Sequence, residues 1–438
     1  MRWLVVFLIV LLMTSDFLGH NPGLGPGLSL KNAVLYLIAL ALMFRMALTG
    51  GFKLRVPGLH AAWALWVAYA VITWLVITLV IHYHGYDPKQ SAIGLKSVLI
   101  DMAIYCFVVF YGVRDAKDYR TVMNVLLATV GISSVLTLTD LVGLTGLGMK
   151  VGESGAEADR VLGAFGNVND TAALLGCMIP GLIAAFMSNR GFWRLFWLGC
   201  TAASVLVFIL TISRGGYAGV ALGYPIAVLL VRQYIPPGRI LAWSFAILGS
   251  LILAAITVAI VAPSAAEAFA DRVLGMHSMG ISEASSGRTD LWAAALSEMM
   301  ANPVSLVTGF GWNSYSTMPT VLAMHNTYLD QWFNLGMLGL FVYAFIEYYT
   351  IMTARRAGAQ AAPAMRRDLL AYVFGMMAVS IAVMFVDLTT ANPYLWMYVG
   401  LVMRGAVLVF DEAEAAHSPA PERAPRLHLG VGVSLRKA

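Results

Sequence analysis

Apolar runs of about twenty residues recur along the whole chain, each long enough to cross the hydrocarbon core of a bilayer as a helix. A backbone in lipid must satisfy its own N–H and C=O groups, so a chain built of such runs folds as a helix bundle. Composition agrees: 60% of residues are hydrophobic, 12% are charged and the mean hydropathy is +0.78, where a soluble domain carries about 25% charge. The sequence is read as an all-α polytopic membrane protein.

Twelve spans are expected, at 3–19, 30–48, 59–82, 93–113, 121–143, 169–188, 193–212, 216–232, 240–262, 327–352, 369–388 and 393–410. Turn and loop residues fill the breaks, as in "HNPGLGPGLS", "TGGFKLRVPG" and "YIPPGR". The first run has the positive start and apolar core of a signal peptide. It lacks a small-x-small cleavage site and more spans follow, so it is expected to be retained. Cys106, Cys177 and Cys200 lie inside apolar segments without metal-ligand spacing, and read as small core residues.

Orientation follows from the Lys and Arg of the connecting segments. With the N-terminus inside, nineteen of the 28 fall in inner segments and eight in outer ones, and Arg404 lies in the last span. The net charge of +5 therefore reflects topology and gives no reason to expect nucleic acid. Residues 1–410 form one transmembrane domain with two long outer loops. The smaller covers 144–168; the larger, 263–326, joins spans nine and ten. Residues 411–438, rich in Ala, Pro and charge, are expected to be a disordered cytoplasmic tail.

The eight outer cations run against the charge bias and call for a reason. Arg214, in "FILTISRGGYAGVALG", sits at the outer turn between two spans, where a guanidinium meets either lipid phosphate or a ligand in the cavity. Gly215 and Gly216 are expected to permit a tight reversal and a close backbone approach. In "GRTDLWAAALSEMMANP" the apolar residues repeat at helical spacing until Asn302-Pro303. Arg288 opens that loop helix, where free N–H groups favour an anion and a guanidinium fork matches phosphate oxygens. An ion pair with Asp290 is the alternative. Arg160 precedes a span whose start carries Asn167, Asn169 and Asp170, one of which is expected to cap it.

His325 comes immediately before the span that starts near Thr327, with Asn326 placed as its cap. An uncharged imidazole there can accept a proton from a hydroxyl group; an interfacial histidine without a role is the alternative. Outer carboxylates form no DxD or other close pair suited to a divalent cation, so metal-free chemistry is expected, with no cofactor. Asp387 and Asp140, near outer helix ends, are placed to pair with the arginines or line the cavity. Asp101, within the fourth span, calls for a polar neighbour.

Four stretches, "RVLGAFGNVND", "SRGGYAG", "GRTDLWAAALSEMMANPVSLVTGFGWNSY" and "HNTYLDQWFNLGMLGL", together resemble the O-antigen ligase and O-antigen polymerase superfamily of bacterial envelope proteins. They keep the family's order and cover about 155–345; the first 150 residues match only as hydrophobic spans. The resemblance implies a GT-C-type membrane glycosyltransferase of the bacterial inner membrane, with a large periplasmic loop over its active site. Its donor would be a glycan on undecaprenyl pyrophosphate and, for a ligase, its acceptor a sugar hydroxyl of lipid A-core. The family's basic residues match Arg214 and Arg288, with Arg160 at a less uniform position, and its histidine matches His325. Asn326, Asn169 and Asp387 would support them. The family's usual "NPN" is "NVN" at 167–169, which bears on the rigidity of that turn. A polymerase of the same superfamily would differ in its acceptor. A lipid-linked glycan transporter, the rival from another class, would place its charges near the bilayer midplane.

Overall fold

The computed structural model describes residues 1–18, 23–25, 27–49, 55–147, 161–163, 165, 167–236, 238, 249, 256, 259, 285, 287–317, 324–386 and 391–417. Apart from one short antiparallel hairpin, β1 (Gly23–Gly25) with β2 (Leu28–Ser29), these residues form helices and their connections. The helices are α1 (Arg2–Leu18), α2 (Leu30–Leu48), α3 (Pro57–Val76), α4 (Pro88–Leu95), α5 (Asp101–Gly112), α6 (Ala116–Leu141), α7 (Val168–Ser188), α8 (Gly191–Leu210) and α9 (Arg214–Val231). They continue with α10 (Arg288–Ala301), α11 (Pro303–Thr308), α12 (Thr327–Gln360), α13 (Pro363–Ala382) and α14 (Pro393–His417). A π-helical turn extends α3 to Ile81, and another joins α4 to α5.

Among the described residues nine helices are long and apolar enough to cross a membrane, and the protein is a multi-pass membrane protein. Two more, α1 and α13, stand at predicted spans; α13 carries Arg366, Arg367 and Asp368 in its first turns. The predicted span at 240–262 lies outside the described residues except for isolated positions. The last helix runs seven residues past the expected boundary at 410, and its Asp411 pairs with Arg55 at 3.2 Å. The rest of the expected tail lies outside the described residues.

The tenth predicted span differs most from expectation. It is expected as one helix over 327–352, but α12 runs to Gln360 and breaks at Gly336, whose φ of 62° and ψ of −164° are not helical. The Tyr328 hydroxyl donates to Glu347, nineteen residues on. A straight helix would separate them by about 28 Å, so the first part, 327–335, folds back along the second, 337–360. The Tyr328 and Tyr343 rings, 5.5 Å apart, show the same fold-back. Only glycine fits this break: a Cβ on Gly336 would strike the Val307 carbonyl, and one on Gly309 the Asn334 carbonyl. The carbonyls freed by the break accept from the Phe310 and Gly311 amides, at 2.8 and 2.7 Å. Buried backbone groups are thereby satisfied, as lipid requires.

The segment that plugs the break is in turn fixed to α3 and α4. The Tyr69 hydroxyl donates to Thr308 O, the Trp312 indole to Ser91 O and Tyr86 to Trp312 O. Burial raises the pKa of the Tyr86 phenol, which keeps it a donor.

Helices cross closely where residues are small. α13 packs against both α7 and α9, and Gly375 of α13 faces the Cys177 carbonyl, just as Gly400 of α14 faces that of Cys106. All three cysteines are buried, as core residues should be. On α9, a Cβ at Gly219 or Gly223 would come within 2.5 Å of the Ala378 or Met377 carbonyl. Small residues at crossings let helices approach in lipid, where no hydrophobic effect drives them together. Gly223→Ala should therefore destabilise the protein by about 1–3 kcal/mol, the usual cost of overpacking. Gly199→Ala on α8, where a Cβ meets nothing within 4 Å, should not. Thermal unfolding of both variants in one detergent checks the contrast; equal melting would contradict the packing.

Candidate functional site

Arg214 is the first residue of α9 and is half-buried. The reversal before it is made by Ile212, at φ 46° in the left-handed region, and not by the glycines expected to make it. Gly215 and Gly216 lie inside the helix. A Cβ on Gly215 would sit 3.0 Å from Phe385 and Val386, and one on Gly216 2.6 Å from Ala172. The glycines thus bring the start of α9 onto the end of α13 and onto α7. Ser213 caps α9 by accepting from the Gly216 amide at 3.4 Å, and its hydroxyl donates to the Asn169 side chain at 2.9 Å. Asn167 caps α7, as expected for that group of residues. Asn169 therefore ties the starts of α7 and α9 together.

His325 stands just before Asn326, which caps α12 by accepting from the Leu329 amide at 3.0 Å. Because α12 folds back at Gly336, this N-terminus is the foot of an inserted helix and not the outer mouth of a span. The Thr327 amide donates to Val383 O at 2.9 Å and its hydroxyl to Val386 O at 3.1 Å, so the foot is bonded to the end of α13. His325 has φ 49°. A left-handed backbone costs an L-residue about 1–2 kcal/mol, and such residues cluster at functional sites.

Arg288 opens α10, after Gly287 at φ 76°. The hydroxyl of Ser285 accepts from the Thr289 amide at 3.2 Å, so one of the N–H groups expected to be open to an anion is already engaged. One turn on, and on the same helix face, the Trp292 indole donates to Met324 O at 2.8 Å. Its ring lies 6.4 Å from that of Phe385. Trp292 therefore links the Arg288 helix both to the residue before His325 and to the residue beside Gly215.

Phe385 and Val386 are the meeting point. The starts of α9 and α12 touch them directly, that of α7 joins through Asn169 and Ala172, and α10 arrives through Trp292. Each helix start is the positive end of a dipole. Asp170, Asp290 and Asp330 stand in the first turns of α7, α10 and α12, whereas α9 has no acidic residue there. A cation at such an end is unfavourable by about 0.3–1 kcal/mol, and two of the four helices begin on arginine. An anion would reverse that sign. Arg160 and Asp387 lie outside the described residues. Among the described residues no three His, Cys, Asp or Glu side chains stand where a metal could be held.

Residues 199–344 match the family model described as O-antigen ligase. Over this segment the match supports the O-antigen ligase superfamily. The segment runs from α8 into the second part of α12 and contains Arg214, Arg288 and His325. No curated protein gives a significant match. The superfamily implies a glycosyltransferase-like membrane enzyme, with lipid-linked glycan and lipids as its partners.

The residues that assemble this candidate site were not evident beforehand. Ser213, Thr327 and Trp292 join elements far apart in sequence, and nothing local marks them as doing so. Gly336 did leave a signal, since "FNLGMLG" puts Asn334, Gly336 and Gly339 into an otherwise apolar run.

The φ of His325 predicts an order of stability. His325→Gly, free of left-handed strain, should melt no lower than wild type, and His325→Val should melt lower. Thermal unfolding of the pair measures it; a glycine variant clearly less stable than wild type would mean that the histidine is kept for stability.

Proposed function

We propose that the protein is an O-antigen ligase. It transfers a glycan from undecaprenyl pyrophosphate to a sugar hydroxyl of lipid A-core at the periplasmic face of the bacterial inner membrane, on a GT-C-type scaffold of twelve spans. The observation that carries this reading is the meeting of three helix starts, one of them Arg214, near Phe385 and Val386 next to His325, where the helix that Arg288 opens joins them through Trp292.

Arg214 and Arg288 hold the donor's pyrophosphate, with Arg160 as a third cation, and stabilise the charge that grows as it departs. The acceptor hydroxyl oxygen attacks the anomeric carbon from the face opposite the leaving group. Its C–O bond forms as the bond to pyrophosphate breaks, the electron pair leaves with the phosphate oxygen, and the hydroxyl proton passes to His325. A single displacement inverts the anomeric centre. The pyrophosphate is already an activated leaving group, so the reaction needs neither a nucleotide sugar nor a metal. Asn326 fixes the residue next to the base, Asn169 fixes the cap beside Arg214, and Asp387 is a further supporting carboxylate.

The test gives the purified protein lipid-pyrophosphate-linked glycan and lipid A-core, in detergent with chelator. Glycan should appear on lipid A-core at a rate that chelator does not change. Arg214→Ala and Arg288→Ala should each lower kcat by about 10²–10³, as for loss of one donor to a developing oxyanion. His325→Ala should lower it by about 10²–10⁴. Longer lipid-linked glycan with nothing on lipid A-core would make the protein a polymerase, and no product from folded protein would favour transport. A His325→Ala variant at the wild-type rate would overturn the base.

A further inference from the structure

Glu347 lies in the folded-back region of α12, about 16 Å along the helix from the break at Gly336. It is 5% exposed, and no cation among the described residues pairs with it. An ionisable side chain inside a membrane span is costly, and is retained where it has a partner and a task. Its hydrogen-bonded oxygen is Oε2, and the buried Oε1 has no hydrogen-bond partner among the described residues. Tyr328 donates to one carboxyl oxygen and also reaches Ser380 O at 3.1 Å, while Tyr343 and Ser380 face the same carboxyl. The adjoining cavity, about 10 Å³, is lined by Tyr343, Glu347, Thr350 and Trp396, and holds one water at most.

Tyr328 is the second residue of α12 and lies three residues after His325. Thr327, between them, bonds the foot to α13 through its amide and its hydroxyl. The Tyr328–Glu347 bond is a hydrogen-bonded side-chain link across the fold-back at that level, beside the Tyr328–Tyr343 ring contact. We propose that Glu347 is a positioning residue: by accepting the Tyr328 hydroxyl, it sets the depth and rotation of the inserted helix, and so the place of His325 beside the end of α13. This rests on His325 acting as base in glycan transfer. Displacement of a reacting group by about 1 Å can cost 10² in rate, so a mid-membrane carboxyl can govern chemistry it does not touch.

Four variants test the proposal in the transfer assay. Glu347→Gln keeps an acceptor oxygen for Tyr328 and should turn over close to wild type. Glu347→Leu keeps volume without an acceptor and leaves the Tyr328 hydroxyl to Ser380 O. It should fold, with kcat lower by about 10² and KM for donor and acceptor unchanged. Tyr328→Phe should do the same, and the Tyr328→Phe/Glu347→Leu double variant should be no slower than either single one. A Glu347→Gln variant as slow as Glu347→Leu would overturn the proposal in favour of a carboxyl that carries a proton. So would a Glu347→Leu variant at the wild-type kcat, or losses confined to KM. Absence of transfer by the wild type would instead remove the ligase reading, so the two failures are distinct.

Discussion

The two hydrogen bonds from Thr327 to the carbonyls of Val383 and Val386 hold a helix start inside a bundle where lipid would reject loose backbone. That anchor sets where the residues just before α12 stand. A non-helical segment at membrane depth persists only when buried in protein or lining a cavity, and here the Phe333 and Asn334 carbonyls of the break have partners. The Phe310 and Gly311 amides cap the short inserted helix, and Trp312, Tyr86 and Tyr69 fix the plug to α3 and α4. The same anchor delivers His325, in a backbone conformation it would not adopt unaided, to the end of α13.

Charge then follows from geometry. The starts of α7, α9 and α12 meet near Phe385, and the second turn of α10 joins them through Trp292. Helix starts are poor places for arginine and good ones for phosphate. Arg214 and Arg288 stand at position one of their helices, where a bound pyrophosphate would meet both a guanidinium and a helix N-terminus.

Membrane architecture was legible because hydropathy has only one solution in lipid. Predicted spans such as 30–48, 169–188 and 193–212 agree with α2, α7 and α8 within a few residues. The caps Asn167 and Asn326 were legible too, since a side-chain amide before a helix has one good use. Asp101 found the expected polar neighbours, with Lys96 at 2.8 Å and Asn32 at 3.0 Å. The fold-back of α12 was not legible. Hydropathy averages over a window and cannot distinguish one long span from an inserted turn followed by a span, although Gly336 marked the spot. Candidate residues could be named singly from their chemistry, but their meeting point at Phe385 and Val386 rests on contacts between distant helices. Local sequence does not encode those contacts.

The most direct test is an experimental structure of the protein with undecaprenyl pyrophosphate bound in a lipid nanodisc. The account predicts density for the two phosphates between the Arg214 and Arg288 guanidinium groups, next to Phe385 and within reach of His325, with the polyprenyl chain leaving into the membrane. Phosphates bound elsewhere, at the bilayer midplane or away from both arginines, would contradict it.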